Sequence, residues 1–448
     1  MTDSTTQAPQ RPEPSARLAA NFDFRLLFAA QVTSMVGSGV TSIALAAFAY
    51  QRTGRDATAV VGTALALRIL AFVVFSPMAG VLADRVDRKR MLVTADVVRV
   101  VLLGAFPFIT TVWQIYALIF AINAVTAFFS PTFEASIPQV VGPRLYTRAV
   151  ALSRVATDLE GIGGPLVAGL LIALVGVRWT FWFDSLTYVV SALLVWRARV
   201  PRAPRPTTPF PWGDFSGQVT HGTRILLREP ALRQALLLHL AEASAGAAAI
   251  VATVVYVRDA LGRGETSFAV AMVAIGVGSS VAAVLATRRA ERAERDDQRD
   301  DQRDDQRDVG AVARTATHLR YHRWATRTLL VGGALLAMAL LPGFLRPSYA
   351  VLLALWALNG AGQALVAVAS VGLLARHTLP EERGRAYAAH FALTHLFWLG
   401  TYPAVGFMAR SIGVPRTFTA AGIVAALATI GALFAGRPHR AHTILETS

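Results

Sequence analysis

The sequence predicts an all-α membrane protein of twelve transmembrane helices arranged as two six-helix bundles. Three observations carry that prediction. The 448 residues are 54% hydrophobic and only 16% charged, whereas a soluble chain carries about a quarter charged residues. The apolar residues gather into twelve runs, each near the roughly 20 residues that a helix needs to cross the hydrocarbon core. The basic residues sit in clusters between those runs, heavy and light clusters alternating along the chain.

The runs cover approximately 24–50, 58–83, 91–111, 113–137, 149–175, 179–197, 231–257, 266–288, 327–345, 348–375, 385–409 and 415–436. Charge, glycine or proline bounds each one. With the N-terminus inside, the tail and alternate links hold 32 of the 43 lysines and arginines. The opposite links hold Arg52, Arg55, Arg178, Arg258, Arg263, Arg346, Arg410 and Arg416, and Arg68, Arg99 and Arg154 fall within spans. Basic links stay in the cytoplasm, so both termini are expected there, with the protein multi-pass in the cell membrane. Arginines dispersed in this way also explain the net charge of +15 without a nucleic-acid partner.

Residues 1–21 are polar and lack a cleavable apolar core, which fits a disordered cytoplasmic tail. Residues 22–197 form the first bundle and 231–436 the second, with 437–448 a second cytoplasmic tail. The cytoplasmic linker, 198–230, starts with Pro201, Pro204, Pro206, Pro209 and Pro211, then allows a short interfacial helix over 217–227. A charged loop at 289–326 repeats Arg-Asp-Asp-Gln from Arg295, Arg299 and Arg303. Lacking apolar residues, it is expected to be a solvated, disordered insert.

Chemistry is bounded mainly by what is missing. No cysteine occurs, which excludes disulfides, thiolate metal sites and a cysteine nucleophile. There is no phosphate-cradling Gly-x-x-x-x-Gly-Lys-Ser/Thr, no His-Glu-x-x-His and no Gly-x-Ser-x-Gly. Neither an enzyme nor an ATP-driven pump is expected, and no cofactor or metal.

Between spans two and three the chain reads Gly80-Val81-Leu82-Ala83-Asp84-Arg85-Val86-Asp87-Arg88-Lys89-Arg90. This resembles the signature loop of the major facilitator superfamily, Gly-x-x-x-Asp-Arg-x-Gly-Arg-Arg/Lys, at the expected place. Asp87 stands where the family has glycine. Aspartate tolerates left-handed φ better than most residues, so the turn is expected to be kept with an added negative charge. Further stretches resemble the drug and siderophore exporter branch, which includes enterobactin-exporter and macrolide-efflux-like proteins: Phe183 to Tyr188, Gly222 to Arg233, and Leu379 to Arg385. In span five, Gly164-Pro165-Leu166-Val167-Ala168-Gly169 is similar to an element linked with antiport, Ala168 replacing one glycine.

The resemblance implies two halves rocking about a central site, with protons as coupling ion and a drug, siderophore or secondary metabolite as cargo. It implies export; import of a small metabolite on the same fold stays open. A monomer is expected. The gating set would be Gly80, Asp84, Arg85, Arg88 and Lys89, with Glu134 as the anion for Arg88. Gly164, Pro165 and Gly169 would serve packing or hinge motion.

Buried charges complete the reading. A charge at the bilayer centre costs about 2.5–3.5 kcal/mol on insertion scales, so each needs a partner, a proton or a purpose. Asp96 with Arg99, and Arg154 with Asp158, share a helix face. Asp184 lies close to the outer surface, within reach of water or a helix end. Arg68, Glu160 and Glu242 lie mid-span without an obvious neighbour on their own helices. Glu242 is the first candidate for a proton-carrying carboxylate and Glu160 the second; a static pair between Arg68 and one of them is the alternative. Gln31, Ser34, Asn123, His239, Asn359, Gln363, His390 and His395 are candidate cavity residues, each also explicable as an interhelical hydrogen bond.

Overall fold

The computed structural model describes residues 18, 21–141, 149, 152–153, 167–200, 212–305, 319–378 and 383–436. Among them every regular element is helical. The first half holds α1 (Phe22–Thr53), α2 (Ala57–Arg85), α3 (Arg88–Gly104), α4 (Val112–Val141), α5 (167–175) and α6 (Val177–Arg197). The linker helix α7 (Trp212–Arg228) follows. The second half holds α8 (Pro230–Val255), α9 (Glu265–Asp305), α10 (Leu319–Leu340), α11 (Tyr349–Arg376), α12 (Arg383–Ile412) and α13 (Val414–Ala435).

Local chemistry sets the helix ends. The Asn21 side chain accepts from the Phe24 amide at 2.9 Å and caps α1. Gly54, at φ 57°, ends α1 in a conformation that L side chains resist. At the start of α3, Asp87 accepts from the Arg90 amide at 3.2 Å. Its φ is −60°, so the turn runs through a helix cap and not through the left-handed conformation expected of that position.

Among the described residues, eight stretches are long and apolar enough to cross a membrane, one of them (Phe22–Phe75) joining α1 and α2. The helices α6 and α12 have the length, at 21 and 30 residues, but carry more polar side chains. The expected fifth span is described only at 149, 152–153 and 167–175. Two further departures concern the links. The linker helix starts at Trp212, five positions before the expected Gly217. And α9 continues through the charged repeat to Asp305, where an unfolded insert was expected; Glu291 and Arg295, four apart, pair along it at 3.8 Å.

In the first half α1 packs on α6, α2 on α4, and α3 on both α4 and α6; in the second, α11 packs on α9 and α10, and α8 on α12 and α13. The halves meet chiefly through α2 and α12. There Thr58 donates to the Gly406 carbonyl at 3.1 Å, and a Cβ on Gly406 would fall 2.5 Å from the Thr58 carbonyl oxygen. Glycine at this crossing lets two backbones approach without side chains between them. One apolar core, including Phe48, Val61, Leu238 and Tyr402, runs through both halves. A smaller cluster around Phe24, Leu27, Leu92 and Phe133 fills the other end of the first half alone.

Candidate functional site

Helix α8 is lined with small residues: Ala241, Ala243, Ala245 and Ala247 to Ala249 are all buried. That lets α12 approach, with the Trp398 ring over Gly246 and Thr401 donating to the Ala243 carbonyl at 3.3 Å. The polar side chains of α8 then face α12. His239 and Glu242, one turn apart, meet at 2.5 Å between Nδ1 and Oε2. The His390 ring stands 4.8 Å from that of His239, edge to face. His395, a turn further on, stacks on Phe391 with centroids 3.7 Å apart, and its Nδ1 lies 2.8 Å from the Phe391 carbonyl.

Arg68 arrives from α2, in the first half, half-buried. It and Glu242 both act electrostatically on His395 and Tyr402. Arg68 has no ion pair among the described residues. The sequence expectation that Glu242 lacks a neighbour on its own helix is therefore corrected: His239, three residues earlier, satisfies it. Two ring atoms are left over, since His239 Nε2 and His390 Nε2 are buried without a hydrogen-bond partner among the described residues. A buried polar atom left unpaired costs about 1–3 kcal/mol.

The remaining candidates scatter. Asn359 is fully buried, its Nδ2 reaching the Ala245 carbonyl at 3.4 Å, and it accepts from Gln363 at 2.5 Å. In the first half, Ser34 donates to the Gln31 carbonyl at 3.0 Å and Asn123 to the Ile119 carbonyl at 2.7 Å; both bonds stay within their own helices. Gln31 Oε1 is buried without a partner among the described residues. Among the described residues these three make no hydrogen bond to the histidine cluster. Gly169 packs α5 on α9, a Cβ there falling 2.9 Å from that of Ala269. Arg88 is buried and Lys89 half-buried at the start of α3. The surroundings of Gly80, Asp84, Arg85 and Glu134 lie outside the described part of the structure, as do Arg154, Asp158, Glu160, Gly164 and Pro165 altogether.

Two buried acids of the first half serve structure. Asp96 takes Arg99 Nη1 at 2.9 Å and Ser191 Oγ at 2.7 Å, and the Arg99 guanidinium lies over the Phe129 and Tyr188 rings, 4.4 and 5.0 Å from their centroids. Asp184, expected near the outer surface, is instead 1% exposed. It accepts from Thr41 at 2.5 Å and Thr187 at 3.1 Å, because α1 comes close at Gly37, where no Cβ would fit.

Sequence reasoning missed a set of polar ties that close one end of the bundle. Tyr50 donates to Asp259, Arg55 Nε lies 3.1 Å from the same carboxylate, and Gln51 donates to Glu265 at 2.7 Å. Arg410 Nε reaches Asp56 at 2.8 Å. Each joins one half to the other, and Asp259 sits on a π-helical turn over Tyr256–Ala260. The acids in these short links were the available signal.

The sequence matches the Major Facilitator Superfamily over residues 27–296 and 320–447. This chain belongs to that superfamily. The unmatched stretch, 297–319, begins within the charged repeat and ends beyond it. Family and fold make this chain a helical, multi-pass membrane protein of that superfamily.

Among its relatives is macrolide efflux protein A of Streptococcus pyogenes, 28% identical over 184 residues, 40% of this chain and 45% of that one. Another is the multidrug efflux pump Tap of Mycolicibacterium fortuitum, 27% identical over 229 residues, 48% and 54% of the two chains. The facilitator thus spans about half the length of the curated relatives it matches. A bacterial homolog to the human lysosomal transporter Spinster, solved inward-facing and occupied, superposes with a TM-score of 0.70 at 12% identity, over 94% of this chain and 98% of that one. A likeness at that identity shows the fold.

Proposed function

We propose that this facilitator exports a small organic molecule in exchange for protons, by alternating access. The observation that carries the reading is the His239–Glu242 couple, seated where α8 meets α12, with Arg68 of the other half acting on the same His395 and Tyr402 as Glu242. A carboxylate and an imidazole 2.5 Å apart can share one proton. They lie on the second half with Arg68 of the first half acting on the same neighbours, so rocking the halves changes the charge around them and couples proton occupancy to conformation. Loading a proton neutralises Glu242 and weakens its attraction to Arg68, which favours the state in which the seam opens. Cargo then exchanges against the proton.

The direction is supported by the relatives named as macrolide and multidrug efflux pumps. The arginine-rich links place the termini and the linker helix in the cytoplasm, so the Asp259 end faces outward and is the closed end here. Gln31, Ser34 and Asn123 on the first-half side, with Asn359 and Gln363 opposite, add few fixed polar contacts to apolar helix faces. That suits amphiphilic or aromatic cargo.

Proteoliposomes with an imposed pH gradient test this. The intact protein is expected to move cargo up to tenfold faster with the gradient than without, and Glu242→Gln to abolish that stimulation while retaining insertion and binding. His239→Gln should shift the pH profile. Gradient-driven transport that is indifferent to Glu242→Gln rules out the proposed carrier. Accumulation in the opposite sense identifies an importer.

A further inference from the structure

We propose that the groove between α9, α10 and α11 is a binding site for an anionic phospholipid of the leaflet at the arginine-rich end. The site is separate from the His239–Glu242 cluster and shares no residue with it.

The groove follows from how the three helices pack. Gly278 of α9 meets the backbone at Ala357 of α11, and Gly332 of α10 faces Gly362 of α11, in both places too closely to admit a Cβ. Both flanking helices therefore lie tightly on α11 and more loosely on each other. The gap left between α9 and α10 is floored by Ala357, Ala361 and Leu365 and encloses about 850 Å³, within the range of small-molecule sites. Its walls are apolar and open outward: Val281, Leu285 and Val331 are each about half exposed, at 54%, 50% and 51%. In a membrane-spanning helix such a surface faces hydrocarbon.

One end is chemically different. Arg289 comes from α9, Arg323 and Arg327 stand one turn apart on α10, and Trp324 lies between them. Among the described residues no carboxylate lines the groove. Arg289 and Arg327, with Arg323 beside them, thus bring positive charge to one end of the groove, where a phosphate can take bidentate hydrogen bonds. A tryptophan at that level is the usual companion of lipid headgroups.

The lengths agree with a lipid rather than a free anion. From Arg323 to Leu335 the groove wall rises 12 residues, about 18 Å at 1.5 Å per residue. That is close to the depth of one leaflet in a hydrocarbon core about 30 Å thick. A phosphate at the arginines would place an acyl chain along Val331, Val281 and Leu285. Free phosphate would use the charged end and leave the apolar length without purpose.

Native mass spectrometry on the purified full-length protein, titrated with dioleoyl phosphatidylglycerol and, separately, dioleoyl phosphatidylcholine, tests the site. The intact protein is expected to prefer phosphatidylglycerol about tenfold or more, since each basic residue at an anionic lipid contributes about 1 kcal/mol, or roughly fivefold. Combined Arg289→Gln, Arg323→Gln and Arg327→Gln should bring phosphatidylglycerol down to the phosphatidylcholine level. Arg327→Gln alone, on an exposed position, should cost about fivefold and guards against misfolding of the triple variant. Val281→Trp, which fills the wall, should weaken both lipids. Equal affinity for the two lipids overturns the proposal, and so does a phosphatidylglycerol preference that survives the triple variant or the blocked groove. Competition by inorganic phosphate at concentrations equal to the lipid points to a free-anion site and also overturns it. None of these readouts depends on transport.

Discussion

Tyr50, in the last turn of α1, donates its hydroxyl hydrogen bond to Asp259, which lies 209 residues away on the π-helical turn after α8. The same carboxylate takes Arg55, so one acid of the second half holds two residues of the first. Pairs as exposed as Arg55, at 86%, contribute about 0–1 kcal/mol each. Asp259→Ala is therefore expected to move the balance of open and closed states at this end by about fivefold, not to unfold the protein. The native chain contains no cysteine, so spin labels at introduced cysteines replacing Thr53 and Gly264 report this end uniquely. Longer distances in Asp259→Ala are expected; an unchanged distribution means that the ties do not hold the end shut.

Gly406 makes a second, stiffer prediction. A Cβ there lies 2.5 Å from the Thr58 carbonyl oxygen and 3.1 Å from the Ala59 Cα, and backbone atoms cannot rotate away as a side-chain tip does. Gly406→Val should prise α2 from α12 and cost about 1–3 kcal/mol, the range for overpacking. Scanning fluorimetry in detergent should show a lowered melting temperature, with gradient-driven transport reduced as well. A variant as stable and active as the parent would mean that the crossing is not close in the working protein.

Asp184 separates charge from hydrogen bonding. Its carboxylate is nearly inaccessible and is held by Thr41 and Thr187. Asp184→Asn keeps an acceptor for Thr41 and should cost less than about 1 kcal/mol, while Asp184→Leu strands the Thr41 hydroxyl and should cost about 1–3 kcal/mol, Thr187 keeping its 2.7 Å bond to the backbone carbonyl of residue 184. The ordering of the two melting temperatures is the check. If the leucine variant is the more stable, burial of the acid rather than its bonds dominates at this site.

Relationships within one helix were legible in the sequence, and those between distant helices were not. Asp96 and Arg99 could be paired from their spacing of three, and the structure joins them. His239 and Glu242 have the same spacing, but His239 had been grouped with the uncharged cavity residues, so that pair went unread. The place of Asp184 near a span end is readable and suggests water or a helix end as its partner, while Thr41, 143 positions away, is not readable. Likewise, nothing in the sequence links Tyr50 with Asp259. The charged repeat looked unable to fold for want of apolar residues; α9 enters it already wound, and propagating a helix is far easier than nucleating one.

The pH response of the second half should be set in part by His377, just beyond the end of α11. Burial is the largest influence and holds its imidazole below the ordinary value of 6.5. Glu229, 3.1 Å away, opposes that shift, while His322 and Arg376 reinforce it. An unfolded chain takes up the proton near pH 6.5, and the folded protein resists it until the pH is lower. The contribution of this site is therefore fully present above 6.5 and is lost as pH falls through the folded value. Thermal stability is expected to decline as pH falls below the ordinary histidine value of about 6.5, and less steeply in His377→Gln, which cannot titrate. A parallel decline in both proteins would assign the acid sensitivity elsewhere. A steeper decline in the variant would mean that attraction to Glu229 outweighs burial, since protonated His377 would then be a stabilising partner.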